Sequence, residues 1–181
     1  MAMTDNRAEE LLITFITGDN LRHHCRMVAH AMKTYARELE KSEQEVHDWW
    51  LAGMLHDLDW EKFPDDHPNK ALYEILPPEN LPEHVMEAIR AHAPGRTGKH
   101  PETEIERYLF ACDELSGFMH AVSLMRPNGF SDMKAKSVTK KLKDKKFAAN
   151  VSREEIKEGA EMINKDLSEH ITFLINAFSE F

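Results

Sequence analysis

Met54-Leu55-His56-Asp57-Leu58-Asp59 closes a helical apolar pattern that opens at Val46. An imidazole and a carboxylate thus stand on adjacent residues. Neighbours on a helix diverge by about 100°, so both can serve one metal ion only if other segments complete its coordination. What the rest of the chain brings to this pair decides the reading.

Outward from it, the pattern is helical throughout. Glycine (7) and proline (8) are sparse among 181 residues, and Val, Ile and Thr form no alternating runs, which argues against sheets. Leu11, Leu12, Phe15 and Ile16 predict a short helix over 5–17, broken at Gly18-Asp19-Asn20. A second helix over 20–40 puts His24 on its buried stripe. Ser42-x-x-Glu45 reads as a capping box for a third, 43–57. A short helix over 69–76 follows a proline-rich loop, and Pro82 opens another that stops at Ala93-Pro94-Gly95. Further helices are predicted over 102–124, over a lysine-rich 131–146, and over a final stretch from a second capping box, Ser152-x-x-Glu155, to about 179. The expectation is a single compact all-α bundle of about eight helices spanning 1–181. Its site-bearing core covers about 20–125 and its C-terminal helices about 131–179. The final helix, with Phe173, Phe178 and Phe181, is expected to close the protein's own core, and oligomeric state is not legible.

Net charge is −9, but Lys134 to Lys146 hold seven lysines and one acid. Without that stretch the balance is −15. A chain this acidic is a poor general nucleic-acid binder. The lysine run reads first as a solvated helix face and second as a local phosphate contact. Cys25 and Cys112 lie in apolar patterns without a CxxC partner and read as buried, reduced thiols. The polar start and the lack of a long apolar run predict no signal peptide, no membrane span and a cytoplasmic protein.

Of the eleven histidines, a few stand out by position. His24 lies on a buried stripe, His56 ends a very apolar helix, and His92 ends another. Asp113 falls mid-helix between Cys112 and Leu115, where an unpaired carboxylate is costly to bury and a cation would offset the cost. In Leu21-x-x-His24-x-x-x-Val28-Ala29, Gly53-x-Leu55-His56-Asp57 and Ala111-Cys112-Asp113, the chain resembles the HD-domain superfamily of metal-dependent phosphohydrolases, in its HDIG-like branch.

The resemblance implies a His/Asp metal site of His24, His56, Asp57 and Asp113. Relatives with two metals add two histidines between the doublet and the last Asp, and His67-Pro68 and Ile89-Arg-Ala-His92 stand at those places. In such an arrangement Asp57 bridges the ions, with His67 and His92 on the second. An all-N/O ligand set suits one or two divalent ions of Fe, Mn, Zn, Ni or Co. The doublet continues as Leu58-Asp59-Trp60-Glu61 rather than Ile-Gly-Lys, and no Gly-Tyr-Pro motif appears. Asp59 is expected to orient a ligand histidine or act as a general base beside Asp57. Arg96, Lys99, Lys136 and Lys140 are the candidate phosphate-binding cations. The function implied is hydrolysis of a phosphate ester of a nucleotide or small metabolite. Its rivals are a di-iron oxygenase on the same ligands, separable by dioxygen uptake, and a catalytically silent regulatory module that binds a nucleotide without turnover.

Overall fold

The computed structural model describes residues 3–181, and within them every regular element is helical. Nine α-helices occur among the described residues: α1 (Asp5–Phe15), α2 (Asp19–Glu38), α3 (Glu43–Leu55), α4 (Glu83–Ala91), α5 (Pro94–Thr97), α6 (Glu104–Ser123), α7 (Ala135–Leu142), α8 (Arg153–Met162) and α9 (Leu167–Ser179). A π-helical turn (Ala71–Ile75) and a 3-10 turn (Pro77–Glu79) lie between α3 and α4.

The axis of the bundle is α6, buried along nearly its whole length and packed against α2, α4 and α8. Its N-terminus is fixed by Glu106, whose carboxylate accepts the backbone N–H groups of Glu102 and Thr103. Two glycines set the closest crossings. A Cβ at Gly53 of α3 would lie 2.6 Å from Cα of Ala29 on α2, and one at Gly159 of α8 would lie 2.7 Å from Cα of Ala111 on α6. Only a residue without a side chain allows backbones to meet this closely. The first contact brings the end of α3, with His56, alongside the His24 face of α2. The apolar side chains of the helices merge into one continuous core, with Tyr35, Phe118, Leu55 and Ile89 fully buried in it.

Several boundaries differ from the expectation. The third helix stops at Leu55, not residue 57, and tightens into turns in which Leu58 N–H bonds to Leu55 O and Trp60 N–H to Asp57 O. That departure turns His56 and Asp57 to the same side. The expected 69–76 helix is wound as a π turn. Pro94–Thr97 forms one helical turn where a stop was expected, and it is ended by Gly98 at φ +75°. The helix expected over 102–124 starts at Glu104, behind Thr103 as its N-cap.

The lysine-rich helix is only eight residues long, with Val138 its sole buried side chain. The chain beyond it folds over the Arg153 guanidinium, which donates to the carbonyls of Asp144, Phe147, Ala148 and Val151 and lies on the Phe118 ring. The predicted final helix is two helices. Asn164 adopts a left-handed φ of 54° and Asp166 caps α9 through Ser168 N–H. Phe178 lies in the core and Phe173 stacks on Tyr35, whereas Phe181 is half exposed against His23 and His30. No helix of the described residues is long and apolar enough to cross a membrane.

One buried polar chain ties α2, α9 and α6 together. Tyr35 donates its O–H to His170 Nδ1 at 2.6 Å, and His170 donates its Nε2–H to the Ala111 carbonyl at 3.0 Å. His170 is fully buried. Burial, helped by Lys165, pushes its pKa down from 6.5 to about 4. Between those values the unfolded chain carries a proton that the folded chain refuses. Stability is therefore lost as pH falls through 6.5 toward 4, by roughly 3 kcal/mol in all. Urea unfolding between pH 7 and 4 checks this: the wild-type loss should be clearly steeper than that of a His170→Gln variant, and equal slopes would contradict it.

Candidate metal centre

The site is assembled from the inner face of α2, the end of α3, the loop to the π turn, the end of α4 and the middle of α6. Four side chains, His24, His56, Asp57 and Asp113, offer ligand atoms all within 4.8 Å of one another, and Asp57, His67 and His92 form a second such group. All six of the expected ligands are thus together.

Asp57 belongs to both groups, and its two oxygens are divided between them. Oδ2 lies 3.4 Å from His56 Nε2 and 3.7 Å from His24 Nε2. Oδ1 lies 3.4 Å from His67 Nε2 and 3.7 Å from His92 Nε2. Asp113 Oδ1 completes the first group, 2.9 Å from His24 Nε2 and 3.3 Å from His56 Nε2.

The tautomers follow from the acceptors behind each ring. His56 Nδ1–H donates to the Gly53 carbonyl at 2.7 Å, and His92 Nδ1–H donates to the Ile89 carbonyl at 2.5 Å. His67 Nδ1–H donates to Asp59 Oδ1 at 2.7 Å. A carbonyl or carboxylate only accepts, so in these rings Nδ1 carries a proton and Nε2 is the atom turned toward a cation, the arrangement found in metal-binding histidines. Two consequences mark a cation site. His56 Nε2 is fully buried without a hydrogen-bond partner. His67 and His92 face each other Nε2 to Nε2 at 3.1 Å, a contact that needs a proton or a cation between the two nitrogens. The residues therefore fit divalent ions with N/O preference.

The charges reinforce one another. Burial alone would drive His56 down, but Asp57 and Asp113 overcome it and hold the imidazole well above its usual range, so the two carboxylates draw positive charge to His56 Nε2, a proton or a metal cation in its place. Burial would raise both carboxyls, yet His56 above all keeps Asp57 and Asp113 far below the ordinary carboxylate range. Both thiols are inert by contrast: they are buried and unpaired, and burial pushes Cys25 up to about 12.

Asp59 is fully buried behind His67. Its Oδ1 accepts from His67 and its Oδ2 accepts the backbone N–H of Ala71 at 2.7 Å, so it orients the ring rather than facing the cavity as a base. Over the cluster opens a cavity of about 360 Å³. Of the four expected cations, Arg96 alone lines it. Its Nη1 donates to Pro64 O at 2.6 Å and its guanidinium lies over the Trp60 ring, which in turn meets His67 edge-on. Lys99 is held elsewhere, 3.4 Å from both Glu87 and Glu106. Lys136 and Lys140 are exposed on α7, and Lys140 borders a separate cavity with Arg126 and Met125. They are not brought to the cluster because α7 packs on α9 and α6 instead.

Three residues that the sequence did not single out line the main cavity: Trp60, Glu114 and Glu155. Burial, then Asp113, pushes the Glu114 carboxyl up to about 7, and the same causes raise Glu155. The usable signals were the second acid of the Asp113-Glu114 doublet and the acid at the third position of α8.

The family model described as HD domain matches residues 21–117. The chain belongs to the HD-domain family. The match runs from the turn before His24 past Asp113 and does not single out the HDIG-like branch. A search of curated proteins and a search of solved structures returned no match.

Because Asp59 fixes the His67 ring, Asp59→Asn should weaken divalent-metal binding at the His67–His92 group by about 10- to 100-fold. Chelator competition checks this. The group holding His24 should keep its affinity within a few fold, and equal weakening of both would contradict the assignment.

Proposed function

We propose that the chain is a metal-dependent phosphohydrolase that cleaves a small phosphate ester with water. The observation that carries this reading is the division of the Asp57 oxygens between two histidine groups, in a cavity that also presents a guanidinium. Two divalent ions held there would supply Lewis acidity, lowering the pKa of water toward neutrality and neutralising phosphoryl oxygens.

The protein's own residues do the rest. His24, His56 and Asp113 would hold one ion and His67 and His92 the other, with Asp57 able to serve both groups. Asp59 acts only through His67, keeping its Nδ1 protonated and its Nε2 turned inward. Among the described residues, Arg96 Nε and Nη2 have no hydrogen-bond partner, and its guanidinium is placed to neutralise the phosphate. In hydrolysis the water oxygen forms the new bond to phosphorus, the ester P–O bond breaks, and the alcohol leaves with the proton lost by water. No covalent enzyme intermediate is required, in keeping with two buried cysteines whose thiols stay protonated.

Replacing Asp57 by Ala removes a ligand from both groups. Hydrolysis of phosphate esters should fall by about a thousandfold or more, a loss in keeping with the contribution of metal-ion catalysis, and bound metal should fall with it. Phosphate release and elemental analysis of the purified variant check both. Turnover within tenfold of wild type would overturn the reading, as would iron-dependent dioxygen uptake without phosphate release by the wild-type protein.

A further inference from the structure

The cavity over the cluster carries two carboxylates that the hydrolytic step does not use. Glu155 sits at the third position of α8, where a capping-box glutamate turns back to the N-cap backbone. Here only half of that box forms. Ser152 Oγ accepts Glu155 N–H at 3.2 Å, but the Ser152 N–H is taken by Glu114 Oε2 at 2.9 Å. The Glu155 carboxylate is thereby released toward the cavity. It is half-buried, lines the cavity, and has no hydrogen-bond or ion-pair partner among the described residues. Glu114 keeps Oε1 unengaged on the same cavity.

A cavity shaped only for phosphate would be lined by cations. This one offers Arg96 alone against two further acids, whose partial burial is costly unless donors meet them. The cavity's volume of about 360 Å³ lies near the lower end of ligand sites and suits a phosphate with a small alcohol.

We propose that Glu155, with Glu114 on the same cavity, binds the alcohol part of the substrate through its hydrogen-bond donors, so that the preferred substrate is a phosphate monoester of a small hydroxyl- or ammonium-bearing alcohol. This rests on the phosphohydrolase reading above. Arg96 meets the phosphate end and Glu155 the donor end, which orients the ester across the metal centre. The shared chemistry is a donor close to the ester oxygen: an ammonium brings three charged donors and a hydroxyl one neutral donor.

The test uses the metal-loaded full chain with ethanolamine phosphate, glycerol phosphate and propyl phosphate. Alongside these, calorimetric binding is measured for the inert phosphonates 2-aminoethylphosphonate, 2-hydroxyethylphosphonate and propylphosphonate. Donor-bearing ligands should exceed the propyl ones by about tenfold or more in kcat/KM and affinity, the worth of a charge-assisted hydrogen bond. Glu155→Ala should erase that preference, through KM and Kd rather than kcat. Glu155→Gln, which keeps an acceptor and the side-chain volume, should retain the preference for hydroxyl ligands and lose that for ammonium ligands if charge is what Glu155 supplies. A preference that survives both substitutions, or equal losses on every ligand, overturns the proposal while leaving the phosphohydrolase reading intact. Absence of turnover of every ester overturns both.

Discussion

The constraint on which the rest depends is the Asp57 carboxylate, held so that each oxygen faces a different pair of imidazoles. A carboxylate enclosed among apolar helices is stable only with positive charge on both sides. Each neighbouring element meets that demand. Leu55 ends α3 and lets the chain turn, Gly53 draws α3 onto α2 so that His24 comes within reach, and α6 delivers Asp113 from the centre of the bundle.

The supports behind the histidines show how far the fold is committed to this geometry. Three rings are tethered by Nδ1, two to helix carbonyls three residues back and one to Asp59. The π turn belongs to the same construction, because its first residue, Ala71, gives its N–H to the second oxygen of Asp59. A wider helical turn there serves the site as well as the core, in which Ala71 and Leu72 are buried. The fold thus turns Nε2 of these rings toward the site before any cation arrives, which limits the reorganisation that binding requires.

How much of this was legible in the sequence depends on the range of the interaction. Helix class and the buried stripe of His24 follow from local periodicity, and the six candidate ligands followed from the resemblance to the HD-domain superfamily that their order and contexts carry. The break between α8 and α9 was hidden because Ile156, Ala160, Ile163, Leu167 and Ile171 keep helical spacing straight through it. Asn164 and Asp166 carried the signal instead, as a left-handed residue and a cap. The lysine helix was overdrawn for a related reason: beyond its C-terminal end the chain is turned around Arg153, which gathers the carbonyls of Asp144 to Val151, a side-chain interaction that helical periodicity does not show. Charge alone proposed Lys99, Lys136 and Lys140, but packing decides where a cation points, and only Arg96 is carried to the cavity. Glu155 looked like half of a capping box, and its release depends on Glu114, 41 positions earlier.

The central claim is that Asp57 bridges two cation sites, and locating the ions tests it most directly. Anomalous diffraction at the edge of the bound metal, from crystals of the protein purified with its native metal, should show two peaks. One should lie among His24, His56 and Asp113 and the other between His67 and His92, with Asp57 reaching both. A single peak, or one that leaves Asp57 without a metal contact, would contradict the account.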